Sequence, residues 1–154
     1  MINERITRCV RGLCYYMCFL YYTYIYGTYP FSFIRKLNKK TIGFALHRQD
    51  VVQDSYEDKT LQAKRQYIDG IKRRLEESNT CFTVNDYPYN VPRYVKHYVL
   101  WVRPGLTMND EALDNAIRSS IFIEFGMRMN FAYFKNTEKN RSVRDIEHYQ
   151  VFIL

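Results

Sequence analysis

Glycine is scarce in this chain. There are six in 154 residues, and none approaches the G-x-x-x-x-G-K spacing of a phosphate-binding loop. No serine sits in a G-x-S-x-G elbow, so the exposed nucleophile of the α/β-hydrolases is missing as well. Histidine is scarcer still, and the three present are dispersed, without Asp or Glu at metal spacing, so they make no zinc site. Of four cysteines, Cys9, Cys14 and Cys18 are spaced C-x4-C and C-x3-C rather than as a C-x2-C knuckle, and Cys81 stands apart. They read as reduced thiols of an intracellular protein, with Cys14 and Cys18 on one helix face. Neither a metal nor a cofactor is expected. There is no internal repeat and no low-complexity linker.

Acidic side chains are nearly absent from the first third. Residues 1–48 hold only Glu4 against eight basic residues: Arg5, Arg8, Arg11, Arg35, Lys36, Lys39, Lys40 and Arg48. Residues 49–154 carry 15 basic and 15 acidic side chains, so the whole net charge of +7 is local. A localised basic surface is the footprint of a polyanion, either nucleic acid or anionic lipid, and otherwise a solvated face. RNA is the leading expectation.

No charge occurs from Gly12 to Ile34, a run of 23 residues preceded by three arginines and long enough to span a bilayer. Seven of its residues are tyrosines, whose hydroxyls need partners that lipid tails lack, and no small-residue cleavage site follows. A half-buried segment fits better, with rings on the core or stacked on bases. No membrane association is therefore expected, and a cytoplasmic protein is.

What is abundant is material for a core. Apolar residues make up 47% and aromatics 17%, the reverse of a disordered composition, in a length that suits one domain. Pro30 and the polar run 35–41 make the first break. A helix is predicted over 56–77, with Leu61, Ile68, Ile71 and Leu75 on its core stripe and Lys64, Arg65, Lys72, Arg73 and Arg74 among acids on a solvated face. Residues 78–92 read as a loop and 94–103 as a strand rich in β-branched and aromatic residues. A helix then starts at Thr107, capped by a Thr107–Asp110 box, and ends at Gly126, with Leu113, Ala116, Ile117, Ser120, Ile121 and Phe125 inward. Strands at 129–135 and 148–153 close the chain. The expected fold is a single α+β domain: N-terminal helices on a small antiparallel or mixed three-strand sheet of β-α-β-β order, with residues 1–43 as a basic, Tyr/Cys-rich segment and 44–154 as the body.

Candidate chemistry lies late in the chain. If the strands bearing His97 and His148 pair, the two imidazoles with Arg103 and Arg141 could form an acid, a base and an anion clamp for phosphodiester cleavage. The alternative is two histidines hydrogen-bonded within a half-buried sheet. His97 shares a strand face with Val99 and Trp101, and His148 with Gln150 and Phe152. The loop 136–145, with Lys139, Arg141 and Arg144 beside Asn136, Asn140 and Ser142, is a second basic spot suited to phosphate.

Two blocks are distinctive. One is Asp86-Tyr87-Pro88-Tyr89-Asn90-Val91-Pro92, followed by His97-Tyr98-Val99-Leu100-Trp101. The other is Phe134-Lys135-Asn136, then Arg141-Ser142-Val143, then Glu147-His148-Tyr149-Gln150-Val151-Phe152. Together, with Leu46-His47-Arg48 as a weaker start, they resemble the N-acetylglucosamine-induced protein family, a eukaryotic and viral domain without an established catalytic activity. Thr137 departs from the proline expected after Asn136. The branch that the chain looks most like is that of the microsporidian ribosome-dormancy factor. That resemblance implies a monomer bound to the idle ribosome, on rRNA and ribosomal proteins near the tRNA exit (E) site, blocking translation without chemistry. Arg5, Arg8, Arg11, Arg35, Lys36, Lys39, Lys40, Arg48, Lys139, Arg141 and Arg144 would then contact RNA. The alternatives are a small phosphoesterase-like or sugar-phosphate enzyme built on the histidines and, from the family's viral members, an assembly component.

Overall fold

Local capping chemistry sets the helix ends. The Asn109 side chain accepts from the Ala112 amide at 2.8 Å, so that helix begins at Asp110, and Gly126 closes it in the left-handed conformation at φ 69°. Thr60 accepts from the Ala63 amide at 3.2 Å and starts a second long helix at Leu61. The predicted Thr107 box does not form, because Asn109 stands where the chain turns and takes the capping role.

The computed structural model describes residues 28–43 and 46–154. Their elements are α1 (Phe31–Lys36), β1 (Lys40–Ile42), α2 (Asp50–Glu57), α3 (Leu61–Glu77), β2 (Thr80–Val84), β3 (Lys96–Val102), α4 (Asp110–Phe125), β4 (Phe131–Asn136), a 3-10 turn (Glu138–Asn140) and β5 (His148–Ile153). Five strands form one mixed sheet in the order β1-β4-β5-β3-β2, with β1 parallel to β4 and the other pairs antiparallel. The α+β class and the mixed sheet agree with the sequence. The strand number does not.

Two strands escape the sequence reading. Thr80–Val84 falls inside the predicted loop, yet Cys81 and Thr83 alternate with Phe82 and pair with β3. Lys40–Ile42 is three residues long, too short to show a period, and it draws residues set apart as the N-terminal segment into the sheet. The single helix predicted over 56–77 is divided at the Thr60 cap into α2 and α3. Leu61, placed on the core stripe by spacing alone, is 74% exposed, while Ile71 and Leu75 are buried. No described helix is long and apolar enough to cross a membrane.

Both sheet faces are covered. Helix α4 lays Leu113, Ile117 and Ile121 on one, against Tyr98, Leu100, Val102, Tyr133, Tyr149 and Val151. The opposite face has two covers. The segment from Tyr29 to Leu37 packs on Ala132, Phe134 and Phe152. Helix α3 packs Ile71 and Leu75 on Cys81, Val99 and Trp101. Tyr29, the last of the seven tyrosines, is buried; its amide donates to the Asn90 carbonyl, and its hydroxyl bonds His47 Nδ1 and accepts from the His47 amide. Burying each such large side chain contributes about 1.5–3 kcal/mol. Residues 1–27, with the other six tyrosines of the run, Cys9, Cys14, Cys18, Arg5, Arg8 and Arg11, lie outside the described residues.

Candidate functional site

Between the two covers, the middle of the second face stays open. Strands β3 and β5 are antiparallel partners with His97 opposite Phe152 and Trp101 opposite His148, so His97, Val99, Trp101, His148, Gln150 and Phe152 all point to this face. The histidines share a face but sit four positions apart along the strands, about 13 Å at strand rise. They form no acid–base pair.

Hydrogen-bond direction along the floor is dictated from the backbone. The Tyr89 amide donates to His97 Nδ1 at 3.1 Å, which places the ring proton on Nε2. Nε2–H therefore donates to Gln150 Oε1 at 2.8 Å. Asn85 Oδ1 accepts from the Tyr87 amide at 3.0 Å, so its amide nitrogen also points to Gln150 Oε1, at 3.4 Å. His97 is 4% exposed, and burial, aided by the nearby Arg48 charge, lowers its pKa to about 3. It is a neutral structural residue at any physiological pH. His148 donates from Nδ1 to the Ile146 carbonyl at 2.9 Å and lies against Trp101 with ring centres 4.7 Å apart; burial lowers its pKa too. Trp101 donates to Thr83 Oγ1 at 3.0 Å.

Above this floor is a cleft of about 590 Å³. One wall is a single helical face of α3, spaced 61, 64, 65, 68, 69, 72. The other comes from the 142–145 loop, and Arg48, Tyr56, Lys59 and Tyr87 close the mouth. A smaller recess of about 220 Å³ continues under Arg48 toward Tyr89, Asn136 and Asn140. Six cations line the cleft (Arg48, Lys59, Lys64, Arg65, Lys72 and Arg144) against three anions (Asp69, Asp86 and Asp145). None of the six has a carboxylate partner among the described residues, whose two ion pairs are elsewhere. Several cations lie on aromatic rings instead: Arg48 over Tyr56 at 4.4 Å and Tyr89 at 5.1 Å, and Lys59 over Tyr87 at 5.1 Å. Arg48 is further held by donation from Nε to the Tyr87 carbonyl at 2.8 Å.

The sequence-predicted residues divide. Arg48 and Arg144 line the cleft, with His148 on its floor. Lys40 lies on the edge strand β1, Arg35 and Lys36 on α1, and Lys39 in the turn between them. Lys39 is not a free cation there: Nζ meets Asp114 Oδ2 at 2.8 Å. Arg103 and Arg141 are spent on backbone carbonyls rather than on a histidine pocket. Arg103 binds those of Leu75 and Glu76 at the end of α3, and Arg141 that of Asn136. Lys139 is exposed on the 3-10 turn. The histidine–arginine set of the alternative enzymatic reading is thus not gathered in one place. Lys64, Arg65 and Lys72 are functional candidates that the sequence offers only as a mixed solvated face, and Lys59, just before the Thr60 cap, is one that it does not single out. The helical spacing of Lys64, Arg65 and Lys72 with Leu61 and Ile68 is the signal that could have found those three.

The described chain is thus an α+β domain with a basic, aromatic-walled cleft on one face of a mixed sheet. It belongs to the family described as protein of unknown function (DUF3605), whose model matches residues 29–154. This is the N-acetylglucosamine-induced protein family that the two sequence blocks resemble, and the match takes in α1 and β1 as well. No curated protein matches the chain. A solved structure described as the crystal structure of HTC1 is similar at 21% identity over 71% of this chain and 76% of that chain, with a TM-score of 0.43.

Proposed function

We propose that the protein is a non-catalytic RNA-binding factor that docks as a monomer on the cytoplasmic ribosome near the tRNA exit site and holds translation idle. The observation that carries the RNA reading is the cleft's set of six cations, none with a carboxylate partner among the described residues, interleaved with aromatic rings. Arg and Lys without carboxylate partners supply phosphate contacts, and aromatic walls suit unstacked bases. The ribosome and dormancy enter from the resemblance to the microsporidian branch. Arg35 on α1 and Lys40 on the edge strand β1, both exposed, extend the basic surface.

The test is co-sedimentation through a sucrose gradient of extracts from dormant and growing cells. Migration with 80S particles in dormant cells, released by high salt, is the expected result. Protein that stays at the top of the gradient in both states overturns the reading.

A further inference from the structure

Three polar atoms in the recess have no partner among the described residues. Since His148 Nδ1 donates to Ile146, its Nε2 is an acceptor, and nothing donates to it. Since Gln150 Oε1 is occupied by His97 and Asn85, its amide nitrogen is a donor, and nothing accepts from it. Asn140 Nδ2 is buried and unpaired outright. His148 is 4% exposed and Gln150 6%, and both line the cleft and the recess; Asn140 lines the recess. Of the three, Asn140 Nδ2 is the buried atom, and a buried polar group without a partner is uncommon; His148 Nε2 and Gln150 Nε2 reach the open cleft, where a ligand can meet them. Here an acceptor and a donor stand two residues apart on one face of β5, about 7 Å between backbones. Tyr56, Tyr67 and Tyr87 stand around them, and Arg48 and Ser142 lie beside Asn140.

We infer that the cleft and this recess together bind a nucleoside monophosphate unit. The base lies among the tyrosines, with an edge bearing one donor and one acceptor on His148 Nε2 and the Gln150 amide. The phosphate meets Arg48, Asn140 and Ser142, and Lys59 and Lys64 draw it in at the mouth. Two sources share that chemistry: a free nucleotide, or one nucleotide extruded from an RNA strand. The RNA source rests on the proposed function; the binding site itself does not. The cleft's volume is in the range of small-ligand sites.

Trp101 is the sole tryptophan and lies against His148, so its emission reports on the floor. The full-length protein is titrated with each of the four nucleoside monophosphates, with inorganic phosphate, and with a short single-stranded RNA. Saturable change with at least one monophosphate, and at least tenfold weaker binding of phosphate alone, is expected. Gln150→Leu should weaken the monophosphate about tenfold, the scale of one lost hydrogen bond in a closed site. The rim double variant Lys59→Gln with Lys64→Gln, which leaves the sheet untouched, should weaken it severalfold. Competition by the RNA assigns the extruded nucleotide; binding without competition assigns the free one. No saturable change with any monophosphate overturns the inference, as does a monophosphate affinity equal to that of phosphate. Monophosphate binding in a protein that does not sediment with ribosomes would keep this site and overturn the ribosomal reading instead.

Discussion

His97 Nε2 donates to Gln150 Oε1 across the β3–β5 ladder at 2.8 Å, and that one bond turns the glutamine's amide nitrogen toward the cleft. The histidine is itself oriented by the Tyr89 amide, one residue past Pro88 in the first of the two sequence blocks. The two blocks thus meet at a single hydrogen-bonded chain. The first supplies the ring and the amide that orients it, and the second supplies the glutamine and the neighbouring His148.

Burial of neutral His97 makes stability depend on pH. Its pKa is about 3 folded against 6.5 in the exposed chain, so between these values the unfolded state binds the extra proton. Stability is full above pH 6.5 and falls as pH drops through that window, by about 2 kcal/mol at pH 5. His148 acts in the same direction. Thermal unfolding at pH 7.5 and pH 5 should show the loss, and His97→Gln, though less stable at pH 7.5, should show a smaller difference between the two. An undiminished difference in that variant would assign the titration elsewhere.

The two ends of α4 are independent. Gly126 adopts φ 69° with nothing within 4 Å of an added Cβ, so Gly126→Ala costs backbone strain alone, about 1 kcal/mol. Asn109→Ala removes the cap to Ala112 and costs about 1 kcal/mol. The ends are about 24 Å apart, so the double variant should lose about 2 kcal/mol in urea unfolding.

Leu61 and Leu75 share a predicted stripe but not an environment. Leu75→Ala leaves a cavity against Cys81, Val99 and Trp101 and should cost about 2–5 kcal/mol. Leu61→Ala, at 74% exposure, should stay within about 0.5 kcal/mol of the parent. Equal losses would mean that Leu61 is packed in solution.

Arg35→Glu with Lys40→Glu should weaken ribosome binding and lower the slope of log affinity against log salt by about one per residue reversed. Lys39→Gln should change that slope less, because its ammonium is engaged by Asp114. A salt titration of sedimented particles reads both. An unaltered slope in the double variant would place the RNA contacts away from this edge.

Several features follow from sequence alone because their causes are local. The inward face of α4 is written in 3.6-residue spacing, the alternation of β3 and β5 in two-residue spacing, and the end at Gly126 in glycine's tolerance of positive φ. The basic excess before residue 49 is a count, and the family resemblance is carried by two ordered blocks. Strand β1 and the cleft were decided by tertiary structure. Three residues carry no readable period, so Lys40–Ile42 becomes a strand only because β4 offers it a parallel edge. On α3, Lys64, Arg65 and Lys72 look like a solvated face until the sheet places Trp101, His148 and Gln150 opposite them. Likewise, which nitrogen of His148 and which end of Gln150 meet the cleft depends on hydrogen bonds to Ile146 and to His97, whose own orientation depends on Tyr89 eight residues earlier. Spacing tells which side chains share a face of one element. Only the packing of elements tells what faces them, and the direction of a hydrogen bond is settled by that partner.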